Sequence, residues 1–457
     1  MLVMNNYING KLLPSLSGEV IEVLNPYNQE VIGTVPKSTR SDVEEALKSS
    51  QKAQKKWCKL PAQKRASYLT EIADLLELHK EEMAVLLTKE HGKPLTQARD
   101  EIDASCGFIR YAAESARRIE GEIVTSEIDQ EQTWIQRVPY GVTVGIIAWN
   151  FPLALAARKF GNSLVCGNTM IIKPPSETPL TVMRLAEIIE QESSLPAGVL
   201  NFITGSGSVV GDALVRNNIV KLVTLTGSTR AGLEVFRAAA DHCVAVRLEL
   251  GGKAPFIVME DTDIDRAVNA AVIAKFNNCG QICTCNERMY IHESIYEKFV
   301  AGLIEKTSEL VVGDPLNPDT FIGPKVNKAE VEKINQLVQK SVEQGGKVLL
   351  DMTPEMKPTQ NGNWMYPVII EVPNNDNILM HDEIFGPVLP VMKVRDFNQA
   401  LEFANDSEYG LSAYLFTNNV KNIMRAVNEL EFGEVYVNRE NGEMINAFHN
   451  GYKLSGI

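Results

Sequence analysis

Three cysteines, Cys279, Cys283 and Cys285, lie within seven positions of the sequence, in the stretch NNCGQICTCNER at 277–288. A structural zinc site usually takes four ligands in closely spaced pairs, and no second Cys or His pair accompanies this stretch, so we expect no metal here. A small buried thiol and a nucleophile remain open as interpretations. Gly280 favours the nucleophile, because a turn at that position exposes the Cys283 thiol in a cleft.

Glu249 is the best candidate for a general base. It ends an apolar stretch that we predict to be a strand, and Leu250-Gly-Gly-Lys253 follows it. A poorly solvated carboxylate has a raised pKa, which suits proton transfer near neutral pH. The alternative is a structural ion pair between Glu249 and Lys253.

Further candidates lie where predicted apolar strands end. Trp149 and Asn150 follow one strand, Lys173 and Ser176 follow the next, Gly207 and Gly211 open a helix after a third, and Thr226, Gly227 and Ser228 enter a helix after a fourth. The glycine spacing at 205–211 is GxGxxxG, which is only a weak match to a dinucleotide-binding loop. Two neighbouring helix N-termini can hold a diphosphate with their free N–H groups, although ordinary strand-to-helix turns have the same sequence.

Taken together, these side chains are suited to one reaction. The Cys283 thiol attacks an electron-poor carbon, and the Asn150 amide with the backbone N–H of Cys283 forms an oxyanion hole. Glu249 activates a later water molecule. A dinucleotide at the helix N-termini accepts the hydride.

The composition is typical of a globular protein with an acidic surface. The 457 residues are 44% hydrophobic and 23% charged, which predicts two or three domains. The formal charge of −13 disfavours a nucleic acid or an anionic membrane as partner, since both attract a basic face. The sequence has neither an apolar run of about 18 residues nor a signal peptide, and its seven cysteines suit a reducing compartment, so we expect a cytoplasmic protein.

The pattern of apolar residues predicts an α/β fold. Residues 41–118 read as amphipathic helices that begin at a capping box at 41–44, and 120–140 reads as a hairpin that either contacts another subunit or is an ordinary surface hairpin. From 141 to 250, apolar strands alternate with helices, as in a parallel sheet covered on both faces. Such a sheet binds ligands beyond the carboxyl ends of its strands. A second α/β region runs from 289 to about 437.

Four motifs occur in a familiar order and spacing: WNFP at 149–152, LELGGK at 248–253, GQIC at 280–283 and EIFGP at 383–387. Over nearly its whole length, the sequence resembles the aldehyde dehydrogenase superfamily. The resemblance implies an NAD(P)-dependent oxidation of an aldehyde to an acid through a cysteine thiohemiacetal and a thioester. It also implies a Rossmann-like dinucleotide domain (1–119 and 141–250), a bridging hairpin (120–140), a second α/β catalytic domain (251–437) and a return segment that lines the substrate mouth (438–457).

The roles of individual residues follow from the same resemblance. Cys283 is the expected nucleophile, Glu249 the general base and Asn150 the oxyanion donor. The remaining positions are expected to bind the cofactor: Lys173 and Ser176 at the adenosine ribose, Gly207, Gly211, Thr226, Gly227 and Ser228 around the diphosphate, Glu383 and Phe385 at the nicotinamide end, and Trp149 beside them.

The stretch at 438–451 resembles the lactaldehyde and glycolaldehyde dehydrogenase branch. Arg158 and His449 are the expected substrate residues, and a guanidinium favours a hydroxyl or a carboxylate. Succinate-semialdehyde dehydrogenases also carry an arginine at the position of Arg158, but usually add a second one where this chain has Asn277. We therefore expect a small polar aldehyde such as lactaldehyde, with succinate semialdehyde as the alternative. A non-catalytic binding or structural protein of the same fold is the alternative from another class.

Three further expectations concern the cofactor, regulation and assembly. NAD-preferring relatives usually have Glu where this chain has Ser176, so a 2′-phosphate meets no repulsion and NADP is expected to be accepted as well as NAD. Cys285 resembles a cysteine that can form a reversible disulfide with the nucleophile, and a buried bystander thiol is the alternative. Relatives continue beyond the position of Ile457 with a strand that joins a partner's sheet. We expect that strand to be absent here, and a homodimer or homotetramer to form.

Overall fold

Two seven-stranded sheets carry the residues that the sequence marks for chemistry. The structure is a computed structural model that describes residues 1–354, 361–447 and 449–457. One sheet is built from residues up to Glu249 and the other from residues after it. Each sheet has buried apolar side chains on both faces, where helices cover it. The predicted α/β fold is therefore confirmed.

The first half of the chain begins with short strands and long helices and then alternates regularly. Its strands are β1 (Leu2–Val3), β2 (Asn6–Ile8), β3 (Lys11–Leu13), β4 (Val20–Leu24), β5 (Val31–Pro36), β6 (Glu122–Thr125), β7 (Gln132–Ile135), β8 (Val142–Ile146), β9 (Thr169–Lys173), β10 (Leu200–Phe202), β11 (Val220–Thr226) and β12 (Ala245–Glu249). Its helices are α1 (Arg40–Trp57), α2 (Ala62–Leu78), α3 (Lys80–His91), α4 (Leu95–Glu114), α5 (Pro152–Val165), α6 (Leu180–Glu192), α7 (Asp212–Val215) and α8 (Thr229–Ala240), with a 3₁₀ turn at Ser115–Arg118 and a π-helical turn at Gly207–Gly211.

The first sheet has the strand order β12-β11-β8-β9-β10-β2-β3. The strands from β12 to β10 are parallel, and β2 and β3 add to the edge in antiparallel fashion. Parallel strands present their carboxyl ends at one edge of a sheet. Lys173, Thr226 and Glu249 end three of these strands, and Asn150 follows a fourth, so all four lie along this edge.

The second half repeats the alternation. Its strands are β13 (Ala254–Val258), β14 (Asn286–His292), β15 (Lys347–Asp351), β16 (Val368–Glu371), β17 (Val388–Val394), β18 (Tyr409–Gly410), β19 (Ser412–Phe416), β20 (Glu434–Val437) and β21 (Tyr452–Lys453). Its helices are α9 (Ile264–Phe276), α10 (Tyr296–Ser308), α11 (Lys328–Glu343), α12 (Ile378–His381), α13 (Phe397–Asn405) and α14 (Val420–Glu429), with a 3₁₀ turn at Asn277–Gly280.

The second sheet has the strand order β15-β16-β17-β14-β13-β19-β20, and only β15 runs antiparallel to its neighbour. Central strand β14 begins three residues after Cys283, and β17 begins five residues after Glu383. The chain end then returns to the first sheet, where Leu248 N donates to Ile457 O over 3.1 Å and Leu250 N donates to Ser455 O over 2.9 Å. These bonds place the last residues beside β12, close to Glu249.

One local detail differs from the sequence predictions. The first helix is capped by Thr39, whose side chain accepts from Asp42 N while Asp42 caps Thr39 in return, so the predicted box at 41–44 is wrong. Helix α4 ends at Glu114 and tightens into a 3₁₀ turn. Helix α9 ends at Phe276, shortly before Asn278, which is left-handed with φ of 51°.

Strands β6 and β7 form a separate two-stranded hairpin. All eight of their residues are exposed, including Ile123, Trp134 and Ile135. Among the described residues, no helix has both the length and the apolarity needed to cross a membrane.

Candidate active site

A strained turn presents Cys283. Asn278, Cys279 and Gly280 have φ values of 51°, 57° and 70°, and left-handed backbone is costly for residues other than glycine. A Cβ on Gly280 would lie 2.4 Å from Gly386 O, so the turn has room only for glycine. Asn278 is held by Gln97, whose Oε1 accepts from Asn278 N over 3.0 Å. The turn leaves the Cys283 side chain partly exposed, as the position of Gly280 predicted.

The LELGGK motif packs directly against this turn. A Cβ on Gly252 would lie 2.4 Å from Cys283 O, so the second glycine allows the two segments to touch. Lys253 is fully buried and pairs with Glu287 over 2.9 Å. The structural ion pair between Glu249 and Lys253, the alternative to a general base, therefore does not form.

Glu249, Cys283 and His449 meet at one point. Their Oε, Sγ and ring-nitrogen atoms all lie within 4.8 Å of one another. His449 Nε2 is 3.3 Å from Glu249 Oε1 and 3.2 Å from Glu443 Oε1, and its Nδ1 is 2.7 Å from Glu434 Oε1. The imidazole therefore bridges the predicted nucleophile, the predicted base and two further carboxylates.

These contacts set the charge of each group. Burial favours a neutral His449 ring, but contacts with Cys283, Glu249 and Glu434 raise its pKa well above the usual value. Burial and the charge of Glu249 raise the pKa of the Cys283 thiol. The resting arrangement is therefore a protonated imidazole beside a protonated thiol.

The predicted rise in the pKa of Glu249 is wrong. Burial acts in that direction, but the hydrogen bond and charge of His449 and the charge of Lys159 outweigh it and lower the pKa to about 2. His449 lies 200 residues further along the chain, so strand position alone did not reveal it. In this arrangement Glu249 is an ionised, stabilised carboxylate.

Lys159 lies on the other side of Glu249. Its Nζ donates to Thr226 Oγ1 over 2.9 Å and to Thr224 Oγ1 over 3.0 Å. Burial lowers its pKa to about 8 despite the attraction of Glu249. The Lys159 ammonium, held by two threonines of β11, thus supports the negative charge of Glu249.

Arg158 lies at the opposite side of the His449 cluster. Its Nη1 donates a short hydrogen bond to Glu443 Oε2, and its guanidinium carbon is 5.2 Å from the centre of the Phe108 ring. The other oxygen of Glu443 faces His449. Both predicted substrate residues, Arg158 and His449, are therefore joined through one carboxylate.

Asn150 is buried between the two sheets. Its Nδ2 donates to Gln281 O over 3.1 Å, two residues before Cys283, and its own carbonyl accepts from Lys93 over 2.8 Å. Lys93 is fully buried and pairs with Glu101 over 2.6 Å. The amide is thus held against the turn that carries Cys283, and its role as an oxyanion donor stays a prediction.

The predicted adenosine and diphosphate residues share the carboxyl edge of the first sheet. The Gly207 position is open, since no atom lies within 4 Å of a Cβ built there, and a Cβ on Gly211 would lie 4.0 Å from Lys173 Cδ. Burial lowers the pKa of Lys173 to about 8. Ser176 is half-buried beside it. Open glycine backbone next to a lysine fits a phosphate-bearing cofactor.

The second predicted helix N-terminus stands beside this loop. Thr226 ends β11, Gly227 N donates to Glu249 O over 3.1 Å, and Ser228 caps α8 by accepting from Ala231 N. The hydrogen bond from Gly227 ties this turn to the strand that ends in Glu249. The predicted diphosphate residues and the predicted base are thus connected through the backbone.

Trp149, Glu383 and Phe385 lie together at the other end of this edge. The Trp149 and Phe385 rings meet edge to face with centroids 5.4 Å apart. Glu383 Oε1 accepts from Gly252 N over 2.8 Å, and burial raises the pKa of this carboxyl to about 7. Phe385 has a φ of 56°. Trp149 and Phe385 thus pack together, and Glu383 is held by Gly252 of the motif that packs against the Cys283 turn; the nicotinamide contacts of these residues stay a prediction.

Cys285 points away from this surface into a buried charged cluster. Its side chain is fully buried, with Sγ 3.4 Å from Glu287 Oε1 and 3.8 Å from Lys275 Nζ. Burial raises its pKa to about 12. Glu287 also accepts from the backbone N–H groups of Ile384 and Phe385. Both cysteines are free thiols, and a disulfide between Cys283 and Cys285 stays a prediction.

Sequence reasoning missed three charged residues of the site: Lys159, Glu434 and Glu443. Glu443 lies within the stretch that carries the branch resemblance, six residues before His449, but its spacing gives no signal of the contact. Lys159 follows Arg158 directly and reads as an ordinary helix lysine. Only the packing of the two sheets and the return segment brings these side chains together.

Named relatives match almost the whole chain. It is 44% identical over 452 residues to a 3,6-anhydro-alpha-L-galactose dehydrogenase from Vibrio sp. (strain EJY3), covering 98% of this chain and 94% of that protein. It is 39% identical to a D-glyceraldehyde dehydrogenase (NADP(+)) from Picrophilus torridus, covering 99% and 92%. It is also 39% identical to the lactaldehyde dehydrogenase of Escherichia coli (strain K12), covering 99% and 94%.

One more distant relative and a solved structure agree with these matches. The NADP(+) succinate-semialdehyde dehydrogenase of Escherichia coli (strain K12) is 36% identical, covering 98% of this chain and 92% of that protein. The fold superposes on a 3,6-anhydro-L-galactose dehydrogenase in complex with NADP with a TM-score of 0.97 at 44% identity, covering 100% of this chain and 95% of that one.

The family-level match extends over residues 13–457, under the description Aldehyde dehydrogenase family. It includes all four motifs and every predicted site residue. Members of this family oxidise aldehydes with NAD or NADP, and the match confirms both the resemblance and the enzyme class. The chain thus belongs to the aldehyde dehydrogenase family and is an NAD(P)-dependent aldehyde dehydrogenase.

Proposed function

We propose that this enzyme oxidises a small aldehyde that carries a hydroxyl beside its carbonyl, such as lactaldehyde or glycolaldehyde, to the corresponding acid. The observation that carries the proposal is the chain of contacts from Arg158 through Glu443 to His449, which ends next to Cys283. Three relatives support it, because their names denote two hydroxyaldehydes, D-glyceraldehyde and lactaldehyde, and the sugar 3,6-anhydro-alpha-L-galactose.

The charges of the mouth favour a hydroxyl over a carboxylate. Glu249, Glu434 and Glu443 surround His449, and the charge of Arg158 is already paired with Glu443. A substrate carboxylate entering here is repelled by these three carboxylates, and Arg158 can bind it only if the pair with Glu443 breaks. A hydroxyl can donate to Glu443 and accept from His449 at the same time. Succinate semialdehyde is therefore the disfavoured alternative.

Activation begins with the Cys283 proton. The thiol is protonated at rest, and a carboxylate oxygen of the ionised Glu249 lies within 4.8 Å of the sulfur. A substrate hydroxyl that accepts a hydrogen bond from His449 weakens the hydrogen bond between His449 and Glu249. Because this bond lowers the pKa of Glu249, that pKa then rises. Glu249 then becomes basic enough to accept the thiol proton, and the sulfur attacks the carbonyl carbon to form a thiohemiacetal.

The developing oxyanion is stabilised by Asn150 and by the backbone N–H of Cys283. Asn150 Nδ2 lies against the turn and is held there through Gln281 O. A preorganised amide donor of this kind contributes about 3–4 kcal/mol to the transition state. Lys93 fixes the main chain of Asn150 from the buried side, so the donor stays in place during the reaction.

NAD or NADP fits along the carboxyl edge of the first sheet. Lys173 and Ser176 would hold the adenosine ribose, the turns at 207–211 and 226–228 the diphosphate, and Glu383 with Phe385 and Trp149 the nicotinamide end. The bound nicotinamide supplies the hydride acceptor that turns the thiohemiacetal into a thioester. Ser176 presents no negative charge to a 2′-phosphate, so we propose that NADP is accepted.

The thioester is released by hydrolysis. Glu249 first releases the proton that it took from the thiol to solvent and then takes a proton from water. The hydroxide attacks the acyl carbon, and the Cys283 sulfur leaves as a thiolate that receives this second proton from Glu249. Lys159 lies on the sheet side of Glu249 and supports its ionised form before each proton transfer. The products are the carboxylic acid and the regenerated thiol.

The exposed hairpin suggests how copies assemble. We propose that Ile123, Val124, Trp134 and Ile135, all exposed on β6 and β7, contact a second copy in a homodimer or homotetramer. Exposed apolar patches usually mark interaction sites. Light scattering of Trp134→Glu beside the parent protein tests this, and an unchanged molar mass contradicts it.

The experiment on the reaction itself replaces Cys283. We expect Cys283→Ser to lower kcat by a factor of about 10³ or more, because a neutral hydroxyl is a far weaker nucleophile, while Cys285→Ser stays active as the matched thiol control. Rapid acid quench of the parent enzyme during turnover of lactaldehyde should show the acyl group on the peptide that contains Cys283. Full activity in Cys283→Ser contradicts the proposal.

A further inference from the structure

We propose that Cys283, His449 and Glu249 also form an inhibitory Zn²⁺ site, and that the bound metal blocks the active site. The three residues offer a sulfur, a nitrogen and an oxygen, which are the ligand types that zinc prefers. Their atoms lie within 4.8 Å of one another. The sequence does not reveal this set, because its members come from three distant segments and not from one spaced motif.

The distances suit tetrahedral coordination. Ligand atoms about 2.0–2.3 Å from a zinc ion lie about 3.3–3.8 Å apart. His449 Nε2 is 3.3 Å from Glu249 Oε1 in the metal-free arrangement. Closing the set around an ion therefore requires side-chain shifts of about an ångström, and the Cys283 side chain is partly exposed and can turn.

The surroundings of His449 match those of a metal-binding histidine. Such a histidine almost always donates its second ring N–H to a carboxylate, a backbone carbonyl or water, which fixes the ring and its tautomer. Glu434 Oε1 lies 2.7 Å from His449 Nδ1 and leaves Nε2 directed at Glu249 and Cys283. Glu434 in turn accepts a short hydrogen bond from the Tyr436 hydroxyl. The orienting partner is thus itself held in place.

The fourth coordination position of the zinc ion is taken by a water molecule, beside Glu443. Glu443 Oε1 lies 3.2 Å from His449 Nε2, so a zinc-bound water would meet a hydrogen-bond acceptor there. Three protein ligands and one water are the usual set of an open zinc site. Zinc binding displaces the Cys283 thiol proton and the His449 imidazolium proton to solvent, and no bond to carbon changes.

Binding at this point blocks catalysis because it occupies the thiol and Glu249 together. The inhibition rests on the proposed roles of these residues, whereas metal binding does not. The two parts are separable, since Co²⁺ in a tetrahedral thiolate site absorbs light without any turnover. A thiolate-to-cobalt band in the near ultraviolet reports the sulfur ligand, and visible bands report the tetrahedral geometry.

The experiment starts from a background variant, Cys166→Ser with Cys243→Ser, because these two exposed thiols can bind zinc adventitiously. We expect this protein to bind one equivalent of Co²⁺ with both sets of bands, to release it to Zn²⁺, and to lose turnover as Zn²⁺ binds. Adding His449→Gln should weaken Zn²⁺ binding at least about 100-fold, and adding Glu434→Gln should weaken it about 10- to 100-fold.

A measurement on the unmutated enzyme guards against misfolded variants. Zn²⁺ should protect Cys283 from iodoacetamide, as peptide mass spectrometry records, while Cys166 and Cys243 are alkylated at their usual rates. Cobalt spectra without a thiolate band, or equal alkylation of Cys283 with and without Zn²⁺, would overturn the site. Bound Zn²⁺ with full turnover would instead overturn the catalytic roles and leave the metal site standing.

Discussion

Glu443 joins the two substrate residues that the sequence predicts, because one of its oxygens accepts from Arg158 and the other lies 3.2 Å from His449 Nε2. The same carboxylate therefore neutralises the arginine and supports the charged imidazole. An arginine in an aldehyde mouth suggests a carboxylate-bearing substrate when it is read alone. Paired with Glu443, it supports the proposal of a substrate that carries a hydroxyl group.

Replacing Glu443 should shift the substrate preference. In Glu443→Gln, Arg158 loses its ionic partner and becomes free to bind a carboxylate. We expect kcat/KM for lactaldehyde to fall about tenfold and that for succinate semialdehyde to rise about tenfold, since one hydrogen bond to a charged group contributes about 1.5–3 kcal/mol. Glu440→Gln, which alters an exposed acid three residues away, is the control. An equal loss for both substrates contradicts the pairing argument.

Ser176 should control the choice between NADP and NAD. Glu at this position places a negative charge beside Lys173, where the 2′-phosphate would lie. We expect Ser176→Glu to lower the ratio of kcat/KM for NADP over NAD by about tenfold or more, which corresponds to about 1.4 kcal/mol of repulsion. Ser176→Gln introduces a side chain of nearly the same size as Glu but without its charge, and it should change the ratio less. An unaltered ratio in Ser176→Glu would show that the position does not select the cofactor.

Replacing Cys285 distinguishes a redox switch from a bystander thiol. Its complete burial and its contact with Glu287, with a pKa of about 12, disfavour the thiolate that oxidation requires. We therefore expect Cys285→Ala to keep its activity and to show the same peroxide inactivation, and the same recovery with dithiothreitol, as the parent enzyme. Loss of the reversible inactivation in this variant would establish the disulfide between Cys283 and Cys285 instead.

Glu287 should matter for stability in a pH-dependent way. It pairs with two buried lysines, Lys253 and Lys275, at 2.9 and 3.0 Å. Glu287→Gln leaves both charges uncompensated, so we expect urea unfolding to show a loss of about 3–5 kcal/mol. The exposed pair of Glu297 and Lys393 gives the control, because Glu297→Gln should cost less than about 1 kcal/mol.

The sign of the pH effect follows from the depressed pKa of Glu287. Burial opposes ionisation, but the charges of Lys253 and Lys275 outweigh it and hold the pKa at about 2. The stabilisation is therefore present above the unfolded pKa of about 4.3 and is lost as pH falls towards 2. The stability difference between parent and Glu287→Gln should shrink as pH is lowered from about 5 towards 2. A difference that grows over this range contradicts the assignment.

The fold was predictable because its strands correspond to near-continuous apolar runs in the sequence. Strands β8 and β9 have no exposed residue, and such runs separated by helices specify a parallel sheet. Because the strands that they end are parallel, Lys173, Thr226 and Glu249 lie at the carboxyl edge of the first sheet. The caps and helix ends were less predictable, because the cap at Thr39 and the left-handed turn at Asn278 depend on contacts with residues elsewhere.

The composition of the site was predictable only in part. Cys283, Glu249 and Asn150 stand in motifs whose spacing repeats across the family. The electrostatics were not predictable, because His449 and Glu443 come from the return segment and meet Glu249 only after both sheets have formed. The pKa of Glu249 therefore moved opposite to the expectation from burial alone.

The most direct test measures reduced-cofactor formation with lactaldehyde, glycolaldehyde and succinate semialdehyde, each with NAD and with NADP. The proposed function predicts that a hydroxyaldehyde has a kcat/KM at least about tenfold above that of succinate semialdehyde, a difference of about 1.4 kcal/mol, and that NADP supports turnover. A clear preference for succinate semialdehyde would contradict the reading of Arg158, Glu443 and His449 as a hydroxyl site.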